Sequence, residues 1–110
     1  MKESIEKNKI FAPAQSIEFL AGSVVSKQVI KNKSGNITLF AFDEGEGLSE
    51  HTAPFDALVH VIEGNIRISI GGKNHELNAG NAIIMEAGIP HALHALSRVK
   101  FLLTMIRGEV

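Results

Sequence analysis

From Ser23 onward, apolar and β-branched residues come in short runs separated by Gly, Asn, Asp and Lys, and this punctuation leaves little room for helices. Residues 23–30, 36–42, 57–64, 65–72, 73–77, 82–87, 91–96 and 100–107 read as successive strands. Between them, Lys33-Ser34-Gly35-Asn36, Asp43 to Gly47, Glu63-Gly64-Asn65 and Gly71-Gly72-Lys73-Asn74 hold residues that tolerate positive φ and so can close hairpins or bulges. Alternation is clearest in NIRISI, where Ile66, Ile68 and Ile70 share one face and Arg67 and Ser69 the other. Many short strands with almost no helix imply an all-β domain, a closed or nearly closed antiparallel barrel or a jelly roll. Upstream, the first ten residues are highly charged and form no periodic apolar face. We read 1–15 as an N-terminal arm and 16–110 as the barrel, with one short helical turn over 16–22, capped by Ser16, stopped at Gly22, and carrying Ile17 and Leu20 on one side.

Composition narrows the function classes. A chain of 110 residues that is 45% hydrophobic can fill one core. Eleven basic against twelve acidic residues leave a formal charge of −1, so no general attraction to nucleic acid or anionic membrane is expected. No apolar run approaches the roughly 20 residues that span a bilayer, and the charged start does not read as a signal peptide, so a cytoplasmic location is expected. With no cysteine, there is no disulfide framework or thiolate site, and any metal must be held by His, Asp or Glu.

Two stretches carry chemistry at defined spacing. One contains Gly45, His51, Ala53, Ala57 and Gly64; the other contains Gly80, Glu86, Gly88, His91 and Ala95. These intervals resemble the two signature motifs of the cupin superfamily. The resemblance extends from Gly22 onward through TLFAFDEGEGLSEHTAPFDALV, VIEGNIRISIGG and GIPHAL. It implies a double-stranded β-helix of the RmlC-like type. In full motifs it also implies three His and one Glu holding a divalent ion. In this chain the second His and the Glu of the first motif are Ala53 and Ala57. The second motif has Glu86 in place of its Pro and Ala95 in place of its Asn. Only His51 and His91 remain of the implied ligands, and two imidazoles fall short of the three protein ligands usual in catalytic metal sites.

Positions 51, 53 and 57 share parity, so an unbulged strand turns them to one side, the barrel interior, with His91 facing them from another strand. The expected pocket is His51, Ala53, Ala57, Val59, Met85, His91 and Leu93, with Val61 behind. His60 and His94 have the opposite parity and join a metal site only if their strands are bulged. Asp56 and Glu50 also read as outward, and His75 as a surface residue after a Gly-Gly turn. Met85 and Met105 fill core gaps or line an adaptable pocket. The FLLTMI run, apolar on both faces, points to a subunit interface as one candidate, and the resemblance implies a homodimer.

Two functional classes are compatible with this pattern. One is a small-molecule-binding barrel with metal optional, its cavity widened and dried by the two alanines. The other is a cupin-type enzyme of the dioxygenase or isomerase class, using a weakly held divalent ion (Zn, Fe, Mn or Ni) or a histidine base. No nucleophilic Ser/His/Asp arrangement and no phosphate-cradling or dinucleotide glycine loop is found. Gly45-Glu46-Gly47 precedes a strand rather than a helix.

Overall fold

The computed structural model describes residues 4–107. Nine strands form: β1 (Val24–Asn32), β2 (Gly35–Phe42), β3 (Gly47–His51), β4 (Asp56–Glu63), β5 (Asn65–Ile70), β6 (Lys73–Asn78), β7 (Ala82–Met85), β8 (His91–Ala95) and β9 (Val99–Ile106). They make two antiparallel sheets, one ordered β1-β2-β9-β4-β7 and the other β3-β8-β5-β6. The chain crosses between them repeatedly, as a jelly roll requires. Among the described residues, no helix is long and apolar enough to cross a membrane.

Alternation along the strands builds the core between the sheets. Ala57, Val59 and Val61 of β4, Ile66 and Ile68 of β5, Leu93 and Ala95 of β8, and Val99 and Phe101 of β9 all belong to one buried cluster. Phe101 is fully buried and packs edge-on to Phe42, ring centroids 5.0 Å apart, and stacked on Phe40 at 5.1 Å.

Two sequence expectations need correction. Gly47–His51, part of which we assigned to a turn, is a strand paired with β8. The 16–22 helical turn is absent; a single 3₁₀ turn forms at Pro13–Gln15 instead. Proline at its start fixes φ where the missing N–H is not needed, and Ser16 ends the turn, its hydroxyl donating to the Ala12 carbonyl at 2.7 Å. Residues 17–19 then run across the outer face of the five-stranded sheet. Ile17 is buried against Leu39 and Ala41, and Phe19 packs beside them. Lys100 and Lys27 fasten the segment by donating to the Ala14 and Ser16 carbonyls at 2.6 and 2.9 Å. Leu20 points to solvent.

Beside this covered area the same outer face is bare. Ile84, Leu58, Thr104, Ile37 and Ile30 are cross-strand neighbours in one row that traverses all five strands. Ile84 is 65% exposed, Ile30 43% and Leu58 38%, with Ile106 alongside at 61%.

Candidate functional site

One end of the barrel is formed by the connections 52–55, 86–90 and 71–72 together with the β1–β2 hairpin. Backbone bonds tie these together: Gly88 N–H donates to the Ala53 carbonyl at 2.8 Å, Gly71 N–H to that of Pro90 at 2.8 Å, and Arg107 N–H to that of Ser34 at 2.6 Å. Asp56 accepts from the Ala87 N–H at 2.9 Å, which uses this carboxylate to hold the 86–90 loop at the mouth.

His91 opens β8 at this end, on the inner face with Leu93 and Ala95, and is 5% exposed. Its cross-strand partner on β3 is His51. The pairing has an irregularity that decides the site. From Leu48 to His51 is three residues on β3, whereas their partners Leu93 and His91 are two apart on β8. The extra residue is a bulge, and a bulge reverses the facing of the residues beyond it. Leu48 packs into the core, so in a regular strand His51 would face outward; the bulge returns it to the side of His91. The bulge, not parity with positions 53 and 57, sets the facing of His51, whose ring meets His91 while remaining exposed. Ala53 is not in a strand at all but in the loop between β3 and β4.

The two rings lie nearly perpendicular, centroids 4.4 Å apart, with Nε2 facing Nε2 at 3.2 Å. Each ring is held from behind: Nδ1 of His51 is 2.7 Å from the Ser49 carbonyl, and Nδ1 of His91 is 3.1 Å from the Ile89 carbonyl. A carbonyl only accepts, so each Nδ1 carries the hydrogen, and a neutral imidazole in that tautomer presents a lone pair at Nε2. At 3.2 Å the two Nε2 atoms lie within hydrogen-bonding distance of each other, a contact that one hydrogen between them satisfies. The carbonyl contacts fix the orientation of both rings.

No third protein ligand joins them: among the described residues, no group of three or more His, Asp or Glu could hold a metal. His60 faces outward from β4 and is exposed; the β4 bulge lies beyond it, between Val61 and Glu63, and leaves its facing unchanged. His94 faces outward from β8 opposite Arg67, in an unbroken β5–β8 register. Among the described residues the mouth thus offers two imidazole nitrogens and no further protein donor. Ala57, Val59, Met85 and Leu93 are buried in the core of the barrel.

A second polar cluster sits apart from the mouth. Asp43 accepts from the Gly22 N–H at 2.7 Å, the Glu44 N–H at 2.9 Å and Arg98 Nε at 3.0 Å. The Gly22 N–H, then Arg98, hold its carboxyl below the usual carboxylate range. Its work is structural, since it ties the end of the N-terminal segment to the barrel.

The glycines of the two motifs have visible reasons. Gly45, Gly64, Gly80 and Gly88 all adopt positive φ, at turns where a Cβ would be strained. Residues 38–106 match the family model described as a cupin domain. The chain belongs to the cupin family. A conserved protein of unknown function from Streptococcus pyogenes is 30% identical, with a TM-score of 0.91 over 98% of this cupin and 95% of that chain. A Cupin 2 conserved barrel domain protein from Leptotrichia buccalis is 33% identical, TM-score 0.82, covering 86% of this cupin and 46% of that larger chain. A cupin superfamily protein from Desulfitobacterium hafniense is 23% identical, TM-score 0.88, covering 94% and 95%. No curated protein matches this cupin.

Proposed function

We propose that this cupin binds a small molecule at the barrel mouth through the His51–His91 pair, with a divalent ion as an optional bridge. The observation that carries this reading is the 3.2 Å approach of two Nε2 atoms whose Nδ1 partners are already engaged. The pair closes one end of a barrel whose buried core includes Ala57, Met85 and Leu93. An apolar cavity with a few convergent polar groups is the common anatomy of ligand sites. An ion held here would supply Lewis acidity, and the alanines at positions 53 and 57 would leave its other positions to the ligand. The enzymatic reading, a cupin of dioxygenase or isomerase type, rests on the same clamp.

Thermal melts in the presence of Mn, Fe(II), Ni and Zn salts and a metabolite panel test the reading. Saturation at about 100 times Kd stabilises by roughly 2.7 kcal/mol, a shift of several degrees. The wild type is expected to respond to at least one addition and the His51→Ala/His91→Ala variant to none. Identical profiles for the two proteins would sink the proposal. Elemental analysis of untagged protein tells whether an ion is resident.

The bare outer row on the five-stranded sheet supports a partner as well. We propose that a second copy covers it. The row is chemically symmetric about Thr104, with Leu58 and Ile84 on one side and Ile37 and Ile30 on the other, so a two-fold axis at Thr104 places aliphatic on aliphatic. At the end of this row a cleft of about 270 Å³ is lined by Ile30, Ile37, Thr104 and Ile106 together with Lys31, Asn36 and Met105. The row alone is small beside the roughly 800 Å² per partner of a standard interface. The unpaired edge of β1 and the exposed Ile10, Phe11 and Leu20 of the N-terminal segment supply further area. Sedimentation at twice the monomer mass is expected, reverting to monomer in Leu58→Glu/Ile84→Glu; a wild-type monomer at high micromolar concentration would refute it.

A further inference from the structure

The outer face of the four-stranded sheet carries a polar cleft. Ile66 and Ile68 of β5 are buried in the core, so Arg67 and Ser69 point outward. On β8, His91 takes the inner face while Ala92 and His94 take the outer one. Cross-strand pairing then sets two rows over β8, β5 and β6: His94, Arg67 and Glu76 in one, Ala92, Ser69 and Asn74 in the other. Neighbouring strands lie about 4.8 Å apart and residues two apart along a strand about 6.7 Å, so the rows frame a patch of roughly 10 by 7 Å. Within it is a cleft of about 200 Å³ lined by Arg67, Ser69, Asn74, Ala92, Leu93 and His94. Its floor is low because Ala92 ends in a methyl group and Leu93 turns its side chain into the core.

Arg67 is half-buried, and it is not used in the ordinary way. Opposite charges facing each other across two strands normally pair. Glu76 lies directly opposite Arg67, yet the two form no ion pair, and among the described residues Arg67 has no other carboxylate partner. It lines the cleft instead. Among the described residues, the side chains of Ser69, Asn74 and His94 likewise have no hydrogen-bond partner within the protein. The cleft therefore gathers an arginine fork, an amide, a hydroxyl and an imidazole, with no acidic residue in its lining. The arginine fork alone satisfies a carboxylate. A tetrahedral oxyanion has acceptors on several sides and can use donors that arrive from three strands.

We infer that this cleft binds a phosphate group, free or carried by a small monoester. Arg67 is its main anchor, and Ser69, Asn74 and His94 donate to the remaining oxygens. The site is separate from the barrel mouth, because β8 turns His91 and His94 to opposite faces of the sheet. Glu76 supplies one opposing charge, but it stands on the edge strand β6, on the far side of Arg67 from His94 and outside the cleft lining.

Titration of isotope-labelled protein with inorganic phosphate, glycerol phosphate and acetate, followed by amide chemical shifts, tests this. Ionic strength and pH are held constant, and shifts are read in preference to melting because phosphate stabilises folded proteins in general by exclusion from their surface. Phosphate is expected to give saturable shifts at Arg67, Ser69, Asn74 and Ala92 and to leave His51 and His91 unmoved. Arg67→Gln is expected to weaken phosphate at least tenfold. Arg67→Lys, which keeps the charge and loses the fork, weakens it several-fold and guards against a folding defect in the first variant. Ser69→Ala and His94→Gln are each expected to weaken it several-fold, and Glu76→Gln to tighten it. Shifts that grow linearly with phosphate, or equal affinity in wild type and both Arg67 variants, would overturn the site. Acetate bound as tightly as phosphate would overturn the assignment to a tetrahedral oxyanion. Tighter binding of glycerol phosphate than of phosphate identifies a monoester as the source, and equal affinity identifies the free ion.

Discussion

Gly64→Ala is expected to unfold this protein at a temperature well below that of Gly88→Ala, although both replace a motif glycine at positive φ. Gly64 is the one-residue corner between β4 and β5, where the chain leaves one sheet and enters the other. At φ +80° it lies so close to a neighbouring chain segment that an added Cβ would be 2.0 Å from the Arg98 carbonyl oxygen and 3.0 Å from Ser97 Oγ. Gly88, at φ +81°, would meet nothing within 4 Å. The left-handed conformation alone costs an L-residue about 1–2 kcal/mol, which sets the expected loss at Gly88. At Gly64 the backbone of 97–98 must also move, and Ser97 Oγ loses its place as acceptor for the Asn65 N–H. The total is expected to exceed about 3 kcal/mol, since a lost buried hydrogen bond and overpacking each add about 1–3 kcal/mol. Urea titration of the two variants measures the difference. Equal midpoints would mean that the corner relaxes freely and that close approach is not what requires glycine there.

The second large effect is expected at Phe101. Its ring is wholly buried, bridges Phe40 and Phe42, and sits on β9, the strand between β2 and β4. Truncation to alanine removes ring contacts with both phenylalanines and leaves a cavity at the centre of the five-stranded sheet, costing about 3–5 kcal/mol. Against the roughly 5–15 kcal/mol typical of whole domains, that is a large fraction. Phe101→Leu retains much of the volume and is expected to lose less than half as much. A Phe101→Ala melting point within about 4 °C of wild type would contradict this packing, because 1 kcal/mol corresponds to roughly 4–8 °C in a domain of this size.

The contrast between these residues and the site shows where sequence information ends. Val59, Ile66, Ile68 and Phe101 face inward because their strands alternate, and alternation is a local property of the chain. The motif intervals were legible for the same reason: turns at Gly45, Gly64, Gly80 and Gly88 need a residue without a Cβ, and the need is met within a few residues.

β3 was harder to read. Leu48 packs inward, but Ser49, Glu50 and His51 are exposed, so no periodic pattern marks the strand. Its existence depends on hydrogen bonding to β8, which lies far along the chain.

The class of fold, the inward set of core residues, the glycine corners and the two histidines available to the mouth are all written locally in the chain. These depend on side-chain periodicity and backbone sterics, which act over a few residues. The meeting of His51 and His91 is a tertiary feature. A bulge between Leu48 and His51 turns the exposed His51 ring toward His91, and two backbone carbonyls hold the rings at Nδ1. Register between distant strands is set by packing of the whole barrel, and no local stretch of sequence contains it.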